Sequence, residues 1–187
     1  MTKQELRNKY RLLRGRLSQN EVKTLSTKIT TQLLELPVWD KSYYHVFMPI
    51  KEQNEVDTDL IRNYLFDKNK KIIVSKSNFE TVQMTHFIID KNTHFTKNKY
   101  NIFEPENGLQ VDSKKIEVVF VPLLAFDLQG HRVGFGKGFY DIFLSQCNPN
   151  VVKIGLSFFE AETQIEGVYK NDVQLDYCVT PNALYRF

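Results

Sequence analysis

Short apolar, β-branched segments alternate along this sequence with segments of helical periodicity, and this alternation limits the fold more than any other feature. Strands separated by helices pair in parallel, because each helical crossover returns the chain to the same end of the sheet. The sequence therefore predicts an α/β fold whose mostly parallel sheet is covered by helices on both faces. The predicted strands are 43–48, 71–74, 82–88, 116–121, 151–156 and 177–180.

Two amphipathic helices are predicted at the start of the chain. The first has basic residues between the members of an apolar stripe, which are Leu6, Tyr10, Leu13 and Leu17. The second begins at a capping box, because Ser18 is followed three residues later by Glu21, and Pro37 marks its end. Its predicted buried stripe is Val22, Leu25, Ile29 and Leu33. A third helix is predicted to start near Asp57 or Thr58.

The composition of the 187 residues excludes several classes of protein. The chain is 42% hydrophobic and 25% charged, which is typical of a globular protein and too apolar for a disordered one. Its N-terminus is polar, and no apolar run reaches the roughly 18 residues of a membrane span. Cys147 and Cys178 lie far apart without metal-type spacing, which favours free thiols in a reducing compartment. We expect one cytoplasmic domain over residues 1–187, folded as a monomer.

The segment 132–141, Arg-Val-Gly-Phe-Gly-Lys-Gly-Phe-Tyr-Asp, carries the strongest functional signal. It follows a buried strand and a turn and leads into a helix, a context in which glycines expose backbone N–H groups to phosphate. Its glycines fit neither GxxxxGK[ST] nor GxGxxG, so neither of those mechanisms applies. Lys137 and Arg132 would bring positive charge to a phosphate, and Asp141 could hold a magnesium ion. A flexible hairpin tip is the alternative interpretation.

Charged residues outside this segment each have two interpretations. Three basic residues fall on one side of the first helix, namely Lys3, Arg7 and Arg14. They either contact a ligand or form a basic face exposed to solvent. Glu55 follows a strand, where a carboxylate could accept hydrogen bonds from a substrate amine or amide, or could be a surface charge.

Two further groups of residues have side chains that can bind metals. Asp172 and Asp176 lie before the last predicted strand. They could be structural, as a cap and a charge at the strand edge, or one of them could be a second carboxylate ligand of the metal. The histidines show no ligand spacing and are not assigned to the site; they are His45, His86, His94 and His131.

Taken together and in order, these segments resemble the 5-formyltetrahydrofolate cyclo-ligase family, also called methenyltetrahydrofolate synthetases. The resemblance spans nearly the whole chain, and the segment 132–141 is its most specific part. The other matching segments are the basic helix from 3 to 7, the loop 55–58, the pair 104–105, and the segments 121–127, 154–156 and 172–176 followed by 179–180.

The resemblance implies a three-layer α/β/α fold of the type shared with ribose-phosphate isomerases and CoA transferases. It also implies ATP and Mg²⁺ as cofactors and 5-formyltetrahydrofolate, with or without a polyglutamate tail, as substrate, without a nucleic-acid or membrane partner. The implied reaction phosphorylates the formyl oxygen, closes the ring through N10, and yields 5,10-methenyltetrahydrofolate, ADP and phosphate.

The resemblance also implies roles for individual residues. The implied ATP contacts are Lys3, Gln4, Glu5, Leu6, Arg7, Arg132, Val133, Gly134, Phe135, Gly136, Lys137, Gly138, Phe139 and Tyr140. The implied folate contacts are Ile50, Glu55, Phe135, Gly136, Lys137, Gly138 and Phe139. Lys137, Arg132 and Tyr140 would be catalytic, and Asp141 and Asp172 would bind the metal. Phe135 and Phe139 replace the tyrosine or other polar residue frequent in the family, which favours apolar packing on the pterin.

Two other classes of function remain open at this point. One is an RNA-binding module that uses the basic first helix, although the net charge of only +3 and the lack of a basic-aromatic motif argue against it. The other is a different phosphate-ligand enzyme on the same fold, such as a sugar-phosphate isomerase, which would not need ATP.

Overall fold

A mixed sheet of eight strands forms the centre of the protein in a computed structural model that describes residues 1–187. The strands of the whole chain are β1 (Tyr43–His45), β2 (Lys71–Asn78), β3 (Gln83–Ile89), β4 (Phe95–Lys97), β5 (Phe103–Pro105), β6 (Leu109–Val111), β7 (Val118–Pro122), β8 (Ala125–Phe126), β9 (Arg132–Val133), β10 (Val152–Leu156), β11 (Tyr177–Val179) and β12 (Leu184–Arg186). The central sheet has the order β12-β11-β10-β7-β1-β2-β3-β6. Two small ribbons, β4-β5 and β8-β9, lie outside it.

The five inner strands of this sheet are parallel. β1 pairs in parallel with β2 and β7, and β10 pairs in parallel with β7 and β11. Only the outer strands β12, β3 and β6 are antiparallel to their neighbours. The predicted mostly parallel sheet is therefore confirmed.

The strand order reverses between β1 and β7, because the chain passes from β1 to β2 in one direction and from β7 through β10 to β11 in the other. In open α/β sheets such a reversal opens a crevice beyond the carboxyl ends of the two strands. The loops that follow β1 and β7 carry Glu55 and the glycine-rich segment, so the fold brings both to this crevice.

The chain has four α-helices, and they are α1 (Lys3–Gly15), α2 (Gln19–Leu33), α3 (Asp59–Asp67) and α4 (Phe139–Gln146). Both of the first two begin with a capping box, at Thr2 with Glu5 and at the predicted pair Ser18 with Glu21. The third predicted start is also close, since Thr58 precedes α3 directly. No helix is both long enough and apolar enough to cross a membrane.

The apolar core is divided by the sheet into two layers. On one face, Ile29 of α2 and Ile61 of α3 pack against strand residues such as Phe120. On the other face, Phe143 of α4 packs against Val119 and its neighbours. Helices therefore lie on both faces, and the predicted three-layer α/β/α architecture is confirmed.

Helix α1 belongs to a smaller third cluster. Leu6 and Tyr10 are buried against Leu124, Val133 and Ile165, which lie in and around the ribbon β8-β9. This packing fixes the basic side of α1 next to the glycine-rich segment that follows β9.

One segment outside the predicted strands and helices contains regular structure. The polar segment 90–101 includes β4, which pairs with β5. The pattern of the sequence hides this ribbon, because Thr96 and Lys97 are exposed and Phe95 is only half-buried, so no alternation of apolar and polar residues marks it.

Candidate active site

One cavity of about 560 Å³ opens at the carboxyl ends of β1 and β7. It is lined by α1, by the loop after β1, by the β2-β3 and β4-β5 regions, by the glycine-rich segment, and by the loop before β11. Residues as distant in sequence as Lys3 and Asp172 meet in it. This is the position that the reversal of strand order predicts for a ligand site.

The glycine-rich segment forms one wall of the cavity, between β9 and the start of α4. Gly136 and Gly138 have φ angles of 91° and 80°, in the left-handed region that favours glycine. A Cβ at Gly136 would lie 3.1 Å from Cζ and Nε of Arg7, whose Nε also donates to the Gly134 carbonyl 3.1 Å away. The absence of a side chain at Gly136 therefore lets Arg7 lie directly on the loop.

The cationic part of the cavity contains two ion pairs. The Arg132 guanidinium donates to Asp141 Oδ1 at 2.7 Å and also to the Val173 carbonyl. Lys3 forms an ion pair with Asp172, and this lysine holds the pKa of the Asp172 carboxyl below its ordinary value against the opposing effect of burial. The side chain of Lys137 is exposed at the same wall. Phosphate groups fit a site with this many cations and glycine N–H groups.

The two aspartates that the sequence could not separate lie in different places. Asp172 lines the cavity, whereas Asp176 pairs with Lys153 at 2.8 Å and is not part of its wall. Asp141 lines the cavity as well and accepts a hydrogen bond from the Val173 N–H at 3.1 Å. The aspartates available to a ligand in the cavity are thus Asp141 and Asp172.

Glu55 is a buried carboxyl in the same cavity. It is 5% exposed, and its Oε2 accepts a hydrogen bond from the Ile50 N–H at 2.7 Å. Burial raises the pKa of Glu55 to about 7, while the hydrogen bond from Ile50 and the charge of Arg14 act in the opposite direction. An acid so placed can bind the N–H groups of a flat heterocycle.

Aromatic residues that the sequence did not single out form the apolar part of the wall. The Phe79 ring stacks on Tyr100 at 3.7 Å and meets Phe139 edge-on at 5.0 Å. Phe79 and Tyr100 lie in the turns after β2 and β4, so local periodicity could not reveal them. The available signal was the presence of large aromatic side chains in otherwise polar turns.

Most predicted site residues line the cavity, including Ile50, Lys3, Arg7 and the segment 134–141. Four predicted ATP contacts do not line it. Leu6 and Val133 are buried in the core beneath α1, Glu5 completes the capping box with Thr2, and Gln4 bonds to Asn8. These four residues stabilise α1 and β9, which form part of the cavity wall, and do not face the cavity themselves.

The fold and the cavity define a class of protein, namely an α/β enzyme whose cleft joins a cationic, glycine-rich wall to an apolar, aromatic one. A protein-family model described as the 5-formyltetrahydrofolate cyclo-ligase family matches residues 1–181. The chain belongs to the 5-formyltetrahydrofolate cyclo-ligase family, and the predicted enzyme class is confirmed.

Individual relatives agree with this assignment. The chain is 31% identical to the 5-formyltetrahydrofolate cyclo-ligase of Mycoplasma genitalium, over 83% of this chain and 84% of that one. It is 27% identical to a Schizosaccharomyces pombe protein named as a probable 5-formyltetrahydrofolate cyclo-ligase, over 92% and 91% of the two chains. The solved structure of Aquifex aeolicus 5,10-methenyltetrahydrofolate synthetase is similar with a TM-score of 0.84 and 29% identity, covering 100% of this chain and 93% of that one.

Proposed function

We propose that this protein converts 5-formyltetrahydrofolate into 5,10-methenyltetrahydrofolate, with conversion of ATP to ADP and phosphate, in the cytoplasm. The observation that carries the proposal is the single cavity in which a cationic, glycine-rich wall adjoins a buried acid and an aromatic cluster. One wall suits a triphosphate and the other suits a pterin, and the reaction needs both in contact.

The cationic wall is the proposed ATP site. Lys3, Arg7, Arg132 and Lys137 offer four positive side chains, and the glycine loop offers backbone N–H groups. These side chains and the loop would hold the triphosphate so that the γ-phosphate points toward the folate.

Asp141 and Asp172 are the proposed Mg²⁺ ligands. The structure has no cluster of three or more His, Cys, Asp or Glu residues that could bind a metal. Protein side chains alone therefore do not form a complete coordination shell. Two hard carboxylate oxygens beside a phosphate site fit Mg²⁺, which usually takes one or two carboxylates and completes its shell with phosphate oxygens and water. Bound there, the ion would neutralise charge on the transferring phosphoryl group.

The proposed first step activates the formyl group. The formyl oxygen attacks the γ-phosphorus, a new O–P bond forms, and ADP leaves. Lys137 neutralises charge on the transferring phosphoryl group. Arg132, which is paired with Asp141, also binds this phosphate. Glu55 binds N–H groups of the pterin and so fixes the formyl group in line with the phosphorus.

The proposed second step closes the ring. N10 attacks the activated formyl carbon, its proton passes to solvent, and the carbon–oxygen bond breaks as phosphate leaves. The aromatic residues Phe79, Tyr100, Phe139 and Tyr140 hold the folate in the bent shape that brings N10 to the carbon. The same cationic residues stabilise the departing phosphate, so the step needs no nucleophilic side chain.

The proposal is tested by mixing the purified protein with 5-formyltetrahydrofolate, ATP and Mg²⁺ and following the near-ultraviolet absorbance of the methenyl product. We expect a signal that requires all three additions. A folded protein that gives no signal would refute the proposal, and turnover of a sugar phosphate without ATP would favour the isomerase alternative.

A further inference from the structure

Two buried histidines flank a serine at the wall of the cavity, beneath α4. His45 Nε2 lies 2.8 Å from Ser75 Oγ, and Ser75 Oγ lies 2.8 Å from His86 Nδ1. His45 ends β1, and Ser75 and His86 are direct cross-strand partners on β2 and β3. The histidines are 1% and 4% exposed, whereas Ser75 is half-buried and lines the cavity.

Both histidines are neutral near pH 7. The Phe143 ring covers them at centroid distances of 4.8 Å from His45 and 4.2 Å from His86. Burial lowers the pKa of His45 well below its ordinary value and lowers that of His86 to about 4, with the charge of Asp112 acting in the opposite direction on His86. Each imidazole therefore carries a single N–H. The outer nitrogens, His45 Nδ1 and His86 Nε2, are buried without a hydrogen-bond partner.

The unpartnered nitrogens decide where the protons of this cluster lie. If Ser75 donated its proton to either histidine, that histidine would carry its N–H on the outer, unpartnered nitrogen. Buried N–H groups without an acceptor are rarer than buried acceptors without a donor. The arrangement that avoids them has both histidines donating to Ser75 Oγ. The Ser75 proton then has no acceptor within the cluster, and the cavity that Ser75 lines is where a ligand can supply one.

We propose that Ser75 donates a hydrogen bond to a carbonyl oxygen on the pterin end of the bound folate, and that His45 and His86 are positioning residues that fix the direction of this donor. The proposal rests on the proposed function, because it takes the occupant of the cavity to be a folate. Met84 and Tyr140 line the same region and suit a flat ring better than a triphosphate. The acceptor is then the ring carbonyl oxygen or the formyl oxygen.

The proton arrangement is tested on the free protein, independently of any activity. Nitrogen-15 NMR of histidine-labelled protein distinguishes protonated from bare ring nitrogens. We expect His45 to carry its proton on Nε2 and His86 on Nδ1. The His94→Asn and His131→Asn variants identify the signals of those two histidines, and His86→Asn separates the signals of His86 from those of His45. A proton on His45 Nδ1 or on His86 Nε2 would overturn the proposal.

The contact with the ligand is tested by calorimetric titration of Ser75→Ala with 5-formyltetrahydrofolate. Loss of one neutral hydrogen bond should raise Kd about two- to twelvefold, and Ser75→Thr, which keeps the hydroxyl, should restore binding. The matched control is Ser145→Ala, because Ser145 is exposed on α4 and bonds only to the Ile142 carbonyl at 2.7 Å. Thermal melts confirm that each variant is folded.

A second ligand identifies the acceptor. 5-Methyltetrahydrofolate has the ring carbonyl but no formyl oxygen, so equal weakening of both ligands in Ser75→Ala points to the ring, and weakening of the formyl compound alone points to the formyl oxygen. Either result supports the proposal. If wild-type protein binds 5-formyltetrahydrofolate and Ser75→Ala binds it equally well, this inference fails alone; if wild-type protein does not bind it, the proposed function fails as well.

Discussion

The charged side chains of the cavity occupy two different environments, and this difference determines how each should respond to mutation. Lys137 is exposed between Gly136 and Gly138, so it has little packing to lose. Glu55 is enclosed, and its carboxyl group is held by the backbone of Ile50. A change at the first should therefore affect function with little effect on stability, whereas a change at the second should affect both.

Lys137→Ala is expected to slow the reaction without unfolding the protein. A charge-assisted contact with phosphate contributes about 1.5–3 kcal/mol, so kcat/KM should fall about tenfold to 150-fold. If Lys137 interacts with the phosphoryl group mainly during its transfer, most of the decrease in kcat/KM should appear in kcat. Steady-state kinetics and a thermal melt measure both quantities.

Lys137→Arg is the matched control for charge. The planar guanidinium does not fit the space of a compact ammonium between two glycines, so we expect poor rescue. Near-normal turnover in Lys137→Ala at an unchanged melting temperature would make this lysine a solvated surface residue.

Glu55 is expected to make the stability of the protein depend on pH. Its pKa is raised from the ordinary value of 4.5 to about 7, so between these values the native state keeps a proton that the unfolded chain has lost. The contribution of Glu55 to the free energy of unfolding is therefore full below pH 4.5 and is lost as pH rises through 7, by up to about 3 kcal/mol.

Glu55→Gln removes this titration. Urea unfolding at pH 5 and pH 8 should show that wild type loses more stability than Glu55→Gln between the two values. Parallel losses would mean that the acid ionises freely in the native state. In kinetic assays the same variant should raise KM for folate more than KM for ATP, because Glu55 is the proposed contact of the pterin.

At the scale of secondary-structure elements, the sequence predicted the features that depend on residues close together in the chain. The capping box at Ser18 and the strand before Pro122 depend on neighbouring residues, and both are present. β2 extends to Asn78, beyond the predicted end at residue 74, because its second half pairs with β3. This second half is mostly half-buried, so it lacks the apolar pattern of the first half. That pairing depends on residues distant in sequence, which periodicity does not report.

Gly155 tests the packing of one such element. A Cβ at this position of β10 would lie 2.7 Å from both Leu123 Cδ2 and Leu175 Cδ1, and 3.1 Å from Cys178 Sγ. Gly155→Ala should therefore overpack the core and cost about 1–3 kcal/mol, which lowers Tm by several degrees.

Gly15→Ala makes the same chemical change in open space, since no atom lies within 4 Å of its added Cβ. It should leave Tm unchanged or raise it slightly. Equal melting temperatures for Gly155→Ala and wild type would show that the leucines can move aside.

At the scale of the whole molecule, the candidate site is assembled from segments distributed along the chain. Motifs with their own local signature, such as the glycine-rich segment, could be predicted from the sequence. Tyr100, Phe79 and the cluster around Ser75 could not, because each depends on which strands and turns become neighbours after folding. The choice between Asp172 and Asp176 likewise required the position of the loop before β11.

Asp141→Asn and Asp172→Asn are expected to impair Mg²⁺-dependent turnover at least about tenfold, because a neutral amide cannot balance the charge of the proposed metal ion. Asp176→Asn is the control, since Asp176 pairs with Lys153 away from the cavity. Magnesium titrations of kcat, with thermal melts, provide the measurement. A defect confined to Asp176→Asn would show that the metal assignment is wrong.

The meeting of Lys3 with Asp172 across the cavity has a consequence for biosynthesis. A chain still on the ribosome has made α1 and the first strands long before Asp172 leaves the exit tunnel. Until then one wall of the cavity is missing, so the proposed ligands, folate and nucleotide, cannot act as templates for the early part of folding. They can stabilise only the last stage, when the loop before β11 docks, and nascent chains stalled before that stage should gain no protease resistance from either compound.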